Sequence, residues 1–157
     1  MRKISWCKDQ ALGIKLIEPN LNLCEEYYAN AEESLKVLRS INPTQSRMWL
    51  ATTKYYIEYF AVYSVLMRLG IKCEIHDCTI ALVKLMEDNG ILEKGISKIL
   101  EADKMLRIDN QYYLKNKPVD INFEKLSVFL LSIKKSIDNL DESKINEFRK
   151  KIEFVSL

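Results

Sequence analysis

The only histidine of the chain, His76, lies in the run Cys73-Glu74-Ile75-His76-Asp77-Cys78, which sets a proton-transfer group between two thiols. An imidazole titrates near neutral pH and suits proton transfer. The same run can be imagined as a metal half-site. Its spacing matches no common zinc pattern and no second Cys/His pair follows, so no metal is expected. The plainest reading of His76 is a residue just before a helix begins. A second group of reactive types runs from 104 to 115 and holds Lys104, Arg107, Asp109, Tyr112, Tyr113 and Lys115. Arg107 near a helix end would be favourable to the helix macrodipole alone. Tyr112 and Tyr113 suit lids over a core edge, with their hydroxyls in water. The stripe Tyr55, Tyr56, Tyr59 and Tyr63 suits a core or a subunit interface rather than a cofactor box, and no cofactor is expected. Lys134-Lys135 and Arg149-Lys150-Lys151 interleave with acids and read as solvated faces.

Charge does not mark the chain as a nucleic-acid binder. Its 24 basic residues stand against 22 acidic ones, so any basic site must be local. Four Gly and three Pro are too few for a turn-rich all-β protein. A length of 157 residues suits one domain, and 48% hydrophobic residues can build a core without metal or disulfide staples. No stretch reaches the roughly 18 uncharged apolar residues of a membrane span. Residues 1–8 lack the long apolar run of a signal peptide. The expectation is a cytoplasmic protein with no membrane association, in which Cys7, Cys24, Cys73 and Cys78 are free thiols.

The elements that must position these groups read as helices. Residues 1–21 suggest an irregular arm, with a short strand over 13–18 for which 152–157 has the character of a partner. Asn22 with Glu25 resembles a capping box opening a helix over 22–41, with Cys24, Tyr28, Ala31, Leu35 and Leu38 on one face. Pro43 is well placed to start the next helix, and Gly70 to stop it. That helix is about 27 residues, roughly 40 Å long. Its charges, Arg47, Lys54, Glu58 and Arg68, fall within an arc of about 80°. A helix apolar around the rest of its circumference belongs at the centre of a bundle. Further helices are expected over 74–89, 92–108 and 121–139, with a loop over 110–119. A short last helix follows, capped by Asp141 or Ser143. The fold class is all-α: an antiparallel bundle of five to six helices around a long, mostly buried central one.

Three segments carry a family resemblance. Tyr55-Tyr56-Ile57-Glu58-Tyr59-Phe60-Ala61-Val62-Tyr63 and its continuation to Gly70 looks like the central helix of HEPN proteins. The run 73–79 resembles the turn that follows it, which often carries a His. Arg107-Ile108-Asp109-Asn110-Gln111-Tyr112 sits where that family places its signature. The likeness spans roughly 22–140. It implies an Arg that stabilises phosphate charge and a His that shuttles a proton, with two signatures meeting across a homodimer to cut RNA. Arg107 matches the Arg, whereas Tyr112 stands at the His position and Ile108 at a usually polar one. The resemblance therefore implies, first, a module that binds nucleotide or RNA, as a homodimer or with a nucleotidyltransferase-type partner in a toxin–antitoxin-like pair. It implies, second, a metal-independent ribonuclease using Arg107 with Asp109, Tyr112 or His76. A structural interaction protein is the third reading. Binding residues on this view are Arg107, Lys104, Tyr113 and Lys115.

Overall fold

A computed structural model describes residues 3–155. Among them are seven α-helices: α1 (Ile4–Asp9), α2 (Leu21–Ile41), α3 (Arg47–Leu69), α4 (His76–Asp88), α5 (Ile96–Gln111), α6 (Phe123–Asp138) and α7 (Glu142–Phe154). A 3-10 turn over Asn42–Thr44 and two short strands, β1 (Lys15–Leu16) and β2 (Ile71–Lys72), complete the described fold; Pro43 opens that turn, and α3 begins only at Arg47. The architecture is the expected all-α bundle.

α3 is its axis. It packs along α2 and also meets α5, α6 and α7. Leu50, Tyr55, Ile57, Ala61, Val62, Val65, Leu66 and Leu69 are buried on all its sides. Each charge of its stripe is engaged or buried, although Arg47 remains exposed. Lys54 pairs with Asp103, Glu58 is buried, Arg47 reaches the carbonyl of Asn116 and Arg68 that of Leu140. Gly70 ends the helix in a left-handed conformation (φ 70°), its N–H donating to Leu66 O and Met67 O. A side chain there would suffer both that backbone and a clash with Ile17 O. Arg149 is no solvated residue. Its Nη1 lies 2.7 to 3.0 Å from the carbonyls of Ile17, Leu69 and Gly70, so α7 caps α3.

Several boundaries differ from expectation for local reasons. The strand in the arm pairs with β2, antiparallel, with Lys15 opposite Lys72 and Leu16 opposite Ile71. The turn at Gly70 brings 71–72 alongside it, whereas Ile152 and Phe154 finish α7, whose Ile145, Phe148 and Ile152 follow helical spacing into the core. Ser156 and Leu157 lie outside the described residues. The arm still meets this end of the chain, because Lys8 Nζ donates to the carbonyls of Ile152, Glu153 and Val155. The Asn20 side chain, rather than the Asn22–Glu25 box, caps α2 by accepting from Leu23 N–H. The β1 pairing and the bond from Asn20 N–H to Met67 O deliver the chain to the helix earlier than expected. Residues 92–95 stay outside α5, since Glu87 of α4 accepts the Ser97 N–H at 2.6 Å and fixes where α5 begins.

The cysteines bring the largest correction. Cys7 of α1 and Cys78 of α4 form a disulfide, both fully buried, while Cys24 and Cys73 are buried thiols. Such a bond is at home in an oxidising compartment. It also explains α1 within an arm that reads as irregular: six residues are too few for a stable helix alone, and the covalent tie holds them on α4. No helix of the described residues is long and apolar enough to cross a membrane.

Candidate functional site

Arg107 occupies the last third of α5 and is buried, at 8% exposure, against the aromatic stripe of α3. Its Nη1 donates to Tyr56 Oη at 3.1 Å. Its guanidinium carbon stands 4.9 Å from the centre of the Tyr55 ring and 5.4 Å from that of Tyr56. Aromatic faces attract a cation, by about 2 kcal/mol when water is excluded. They supply no negative charge. Among the described residues no carboxylate pairs with Arg107, and its buried Nε has no acceptor.

His76 reaches the same aromatic stripe. It is the first residue of α4, and its Nδ1 and the Tyr55 hydroxyl are hydrogen-bonded, 2.6 Å apart. Its ring stacks on Tyr59 with centroids 4.5 Å apart. Burial lowers its pKa below the ordinary 6.5, and the charges of Arg107 and Lys104 lower it further, against the opposing pull of Asp77. His76 is therefore neutral at neutral pH. Burial also pushes the Tyr55 and Tyr59 hydroxyls well above the usual phenol range, so both keep their protons.

Lys104, one turn before Arg107 on the same face of α5, forms an ion pair with Asp77 beside His76. The site thus centres on a buried guanidinium. Around it stand half-buried Tyr56, His76, Lys104 and Asp77. Lys104 and Asp77 cancel, and Arg107 leaves one uncompensated positive charge. Such a site can accept an anion whose oxygens take up the free guanidinium donors, next to a neutral imidazole that can take a proton.

Of the residues singled out from sequence, Arg107, Lys104 and His76 come together, and Asp109, Tyr112, Tyr113 and Lys115 do not join them. At 100° per residue, Tyr112 falls about 140° round the helix from Arg107. It caps the end of α5 with 64% of its surface exposed, and Tyr113 is 67% exposed with the Lys115 ammonium 5.4 Å over its ring. Asp109 forms ion pairs with Lys115 and Lys117, whose hydrogen bonds hold its carboxyl below the usual range. With Asn110, which exchanges two hydrogen bonds with the Lys117 backbone, it clasps the loop after α5. These residues shape a loop rather than the surroundings of Arg107. Tyr55, Tyr59 and Tyr63 are core, as the sequence suggests, and Tyr56 packs against that core while meeting Arg107. The adjacency of Tyr55 and Tyr56 is the one sequence signal: neighbours on a helix differ by 100°, so in a bundle one of two adjacent tyrosines tends to face outward. Cys78 is committed to its disulfide, and no group of three or more metal-ligating side chains occurs among the described residues. Comparison of the chain with family models, with curated proteins and with solved structures finds no match.

Proposed function

We propose that this chain is a HEPN-like helical domain that binds a phosphate group of RNA or of a nucleotide at Arg107, as a homodimer or beside a nucleotidyltransferase-type partner. The observation that carries this reading is the buried guanidinium, which among the described residues has no carboxylate partner and no acceptor for its Nε. A charge held out of water without a partner costs several kcal/mol. A phosphate offers acceptors to both sides of the guanidinium fork and supplies the missing charge. Lys104 and the Tyr56 hydroxyl stand beside the guanidinium to take further oxygens.

His76 favours a second reading, in which the bound RNA is cut. A neutral imidazole can take the proton of a ribose 2′-hydroxyl as that oxygen attacks the phosphorus, with Arg107 holding the charge that develops. Unlike Tyr112, His76 meets the same aromatic stripe as Arg107.

One experiment addresses both readings. Labelled single-stranded RNA and nucleotides are titrated with the protein, and the RNA is recovered and sized. Arg107→Ala is expected to weaken binding by tenfold or more and to lower the salt slope by about one phosphate contact. Unchanged binding in that variant removes the proposal. If RNA is cut, the rate should rise with pH through a pKa below 6.5 and collapse in His76→Ala. Intact RNA leaves the binding reading alone.

A further inference from the structure

Helix α6 carries two apolar ridges, and the bundle covers one of them. Leu126, Phe129, Leu130, Ile133 and Ile137 turn inward and are buried, with α6 packed on α3 and α2. On the opposite side, about 180° round the helix, run Glu124, Val128, Leu131, Lys135 and Asp138, all exposed. Their spacing of four, three, four and three keeps them in one stripe, the seam spacing of paired helices. Val128 and Leu131 stand at its centre with 59% and 67% of their surface in water. Beside Val128 a half-open groove of about 520 Å³ separates α6 from the start of α5, with Ile96, Ile99 and Phe129 in its wall. Ile99 is itself exposed, so the apolar surface runs on from the ridge into the groove.

The charges along the stripe indicate what covers it. Glu124 and Lys135 enter no ion pair among the described residues, whereas Lys134 beside them pairs with Asp138. A second copy of α6 laid antiparallel across the stripe, with the two-fold axis midway between Val128 and Leu131, sets Val128 of each copy against Leu131 of the other. The same register sets Glu124 of each copy against Lys135 of the other, so the acid meets the base at both ends. A parallel pairing would instead set Glu124 on Glu124 and Lys135 on Lys135. Lys125 and Lys134 do not oppose the antiparallel arrangement. They lie about 90° to either side of the stripe, and antiparallel helices bring like flanks together, which keeps these two lysines apart. Each Leu131 then lies next to the groove that Val128 of the other copy borders.

We infer that α6 is the face through which two copies of this chain pair, antiparallel and two-fold, with Glu124 of each copy against Lys135 of the other. This pairing gives the homodimer of the proposed function a surface, and it does not depend on phosphate binding at Arg107.

The test is sedimentation equilibrium of the full chain beside Leu131→Lys, Glu124→Lys and Lys135→Glu, which change only exposed side chains. The unaltered chain is expected to be a dimer. Leu131→Lys should self-associate at least about tenfold more weakly, since it sets a charge in the centre of an apolar contact. Glu124→Lys makes both ends of the pairing repel, as does Lys135→Glu, so each alone should associate at least about fivefold more weakly. Mixed in equal amounts, these two variants regain complementary ends and should form a heterodimer with the affinity of the unaltered chain. An unaltered chain that stays monomeric removes both this pairing and the homodimer, and leaves the ridge to a different partner. A dimer that Leu131→Lys does not weaken keeps the homodimer but moves it to another face. A mixture that fails to associate rules out the antiparallel register. Each of these three outcomes overturns the assignment.

Discussion

At the scale of single residues, the molecule places two ionisable groups where water would normally be needed, and solves them differently. Arg107 rests on aromatic faces. Glu58 keeps a proton, because burial and then the Asp103 charge raise its pKa well above its usual range. The second solution has a thermodynamic sign. Above the ordinary carboxyl value of 4.5, the unfolded chain releases the Glu58 proton while the folded chain retains it, so stability falls as pH rises from there to the folded pKa. Glu58→Gln removes that slope. It should raise stability by about 1 kcal/mol at neutral pH and leave it unchanged at acid pH, read as urea midpoints across the range. A variant less stable at neutral pH would show that Glu58 is ionised in the fold. Sequence reading reached Arg107, Lys104 and His76 as separate candidates and could not join them. His76 and Arg107 are brought together because α4 packs on α5 and its first residue reaches the tyrosines of α3, a tertiary fact with no periodic signature. Tyr112 was expected to complete the site, but the rotation of the helix carries it away from Arg107. Glu58 and Lys54 read as one polar stripe, because Asp103, which turns that stripe into a buried network, belongs to another helix.

At the scale of elements, legibility follows length. The long helices α2, α3 and α6 show in the sequence because each repeats its apolar spacing over several turns, and Gly70 stops α3 where expected. The elements of two to six residues carry few repeats: α1 and β2 do not announce themselves, and β1, expected within 13–18, does not announce its partner. Their positions depend on distant groups, above all Arg149. This residue joins the end of β1, the end of α3 and α7 through one guanidinium nitrogen. Arg149→Ala should cost about 2 kcal/mol in urea unfolding, since carbonyls that now receive a charged donor would lose it. Hydrogen exchange should quicken first at the Ile17 and Asn20 amides, which bond Gly70 O and Met67 O. A loss spread evenly over the bundle would argue against this local role.

At the scale of the whole molecule, the Cys7–Cys78 bond joins positions 71 residues apart. Closing a loop of that length lowers the entropy of the unfolded chain by an amount equivalent to about 4 kcal/mol. That is a large share of the stability of a typical domain. The bond also divides the chain topologically. α2, α3 and the connection between them lie on a closed ring, while α5, α6 and α7 hang from it as an open tail. A protease nick in the exposed stretch Pro43, Thr44 and Gln45 would open the ring without parting its two pieces, which should migrate as one band until reductant is added. A nick in the loop after α5 should give two bands with or without reductant. If the first pair of fragments separates in non-reducing gels, the ring does not exist in the protein.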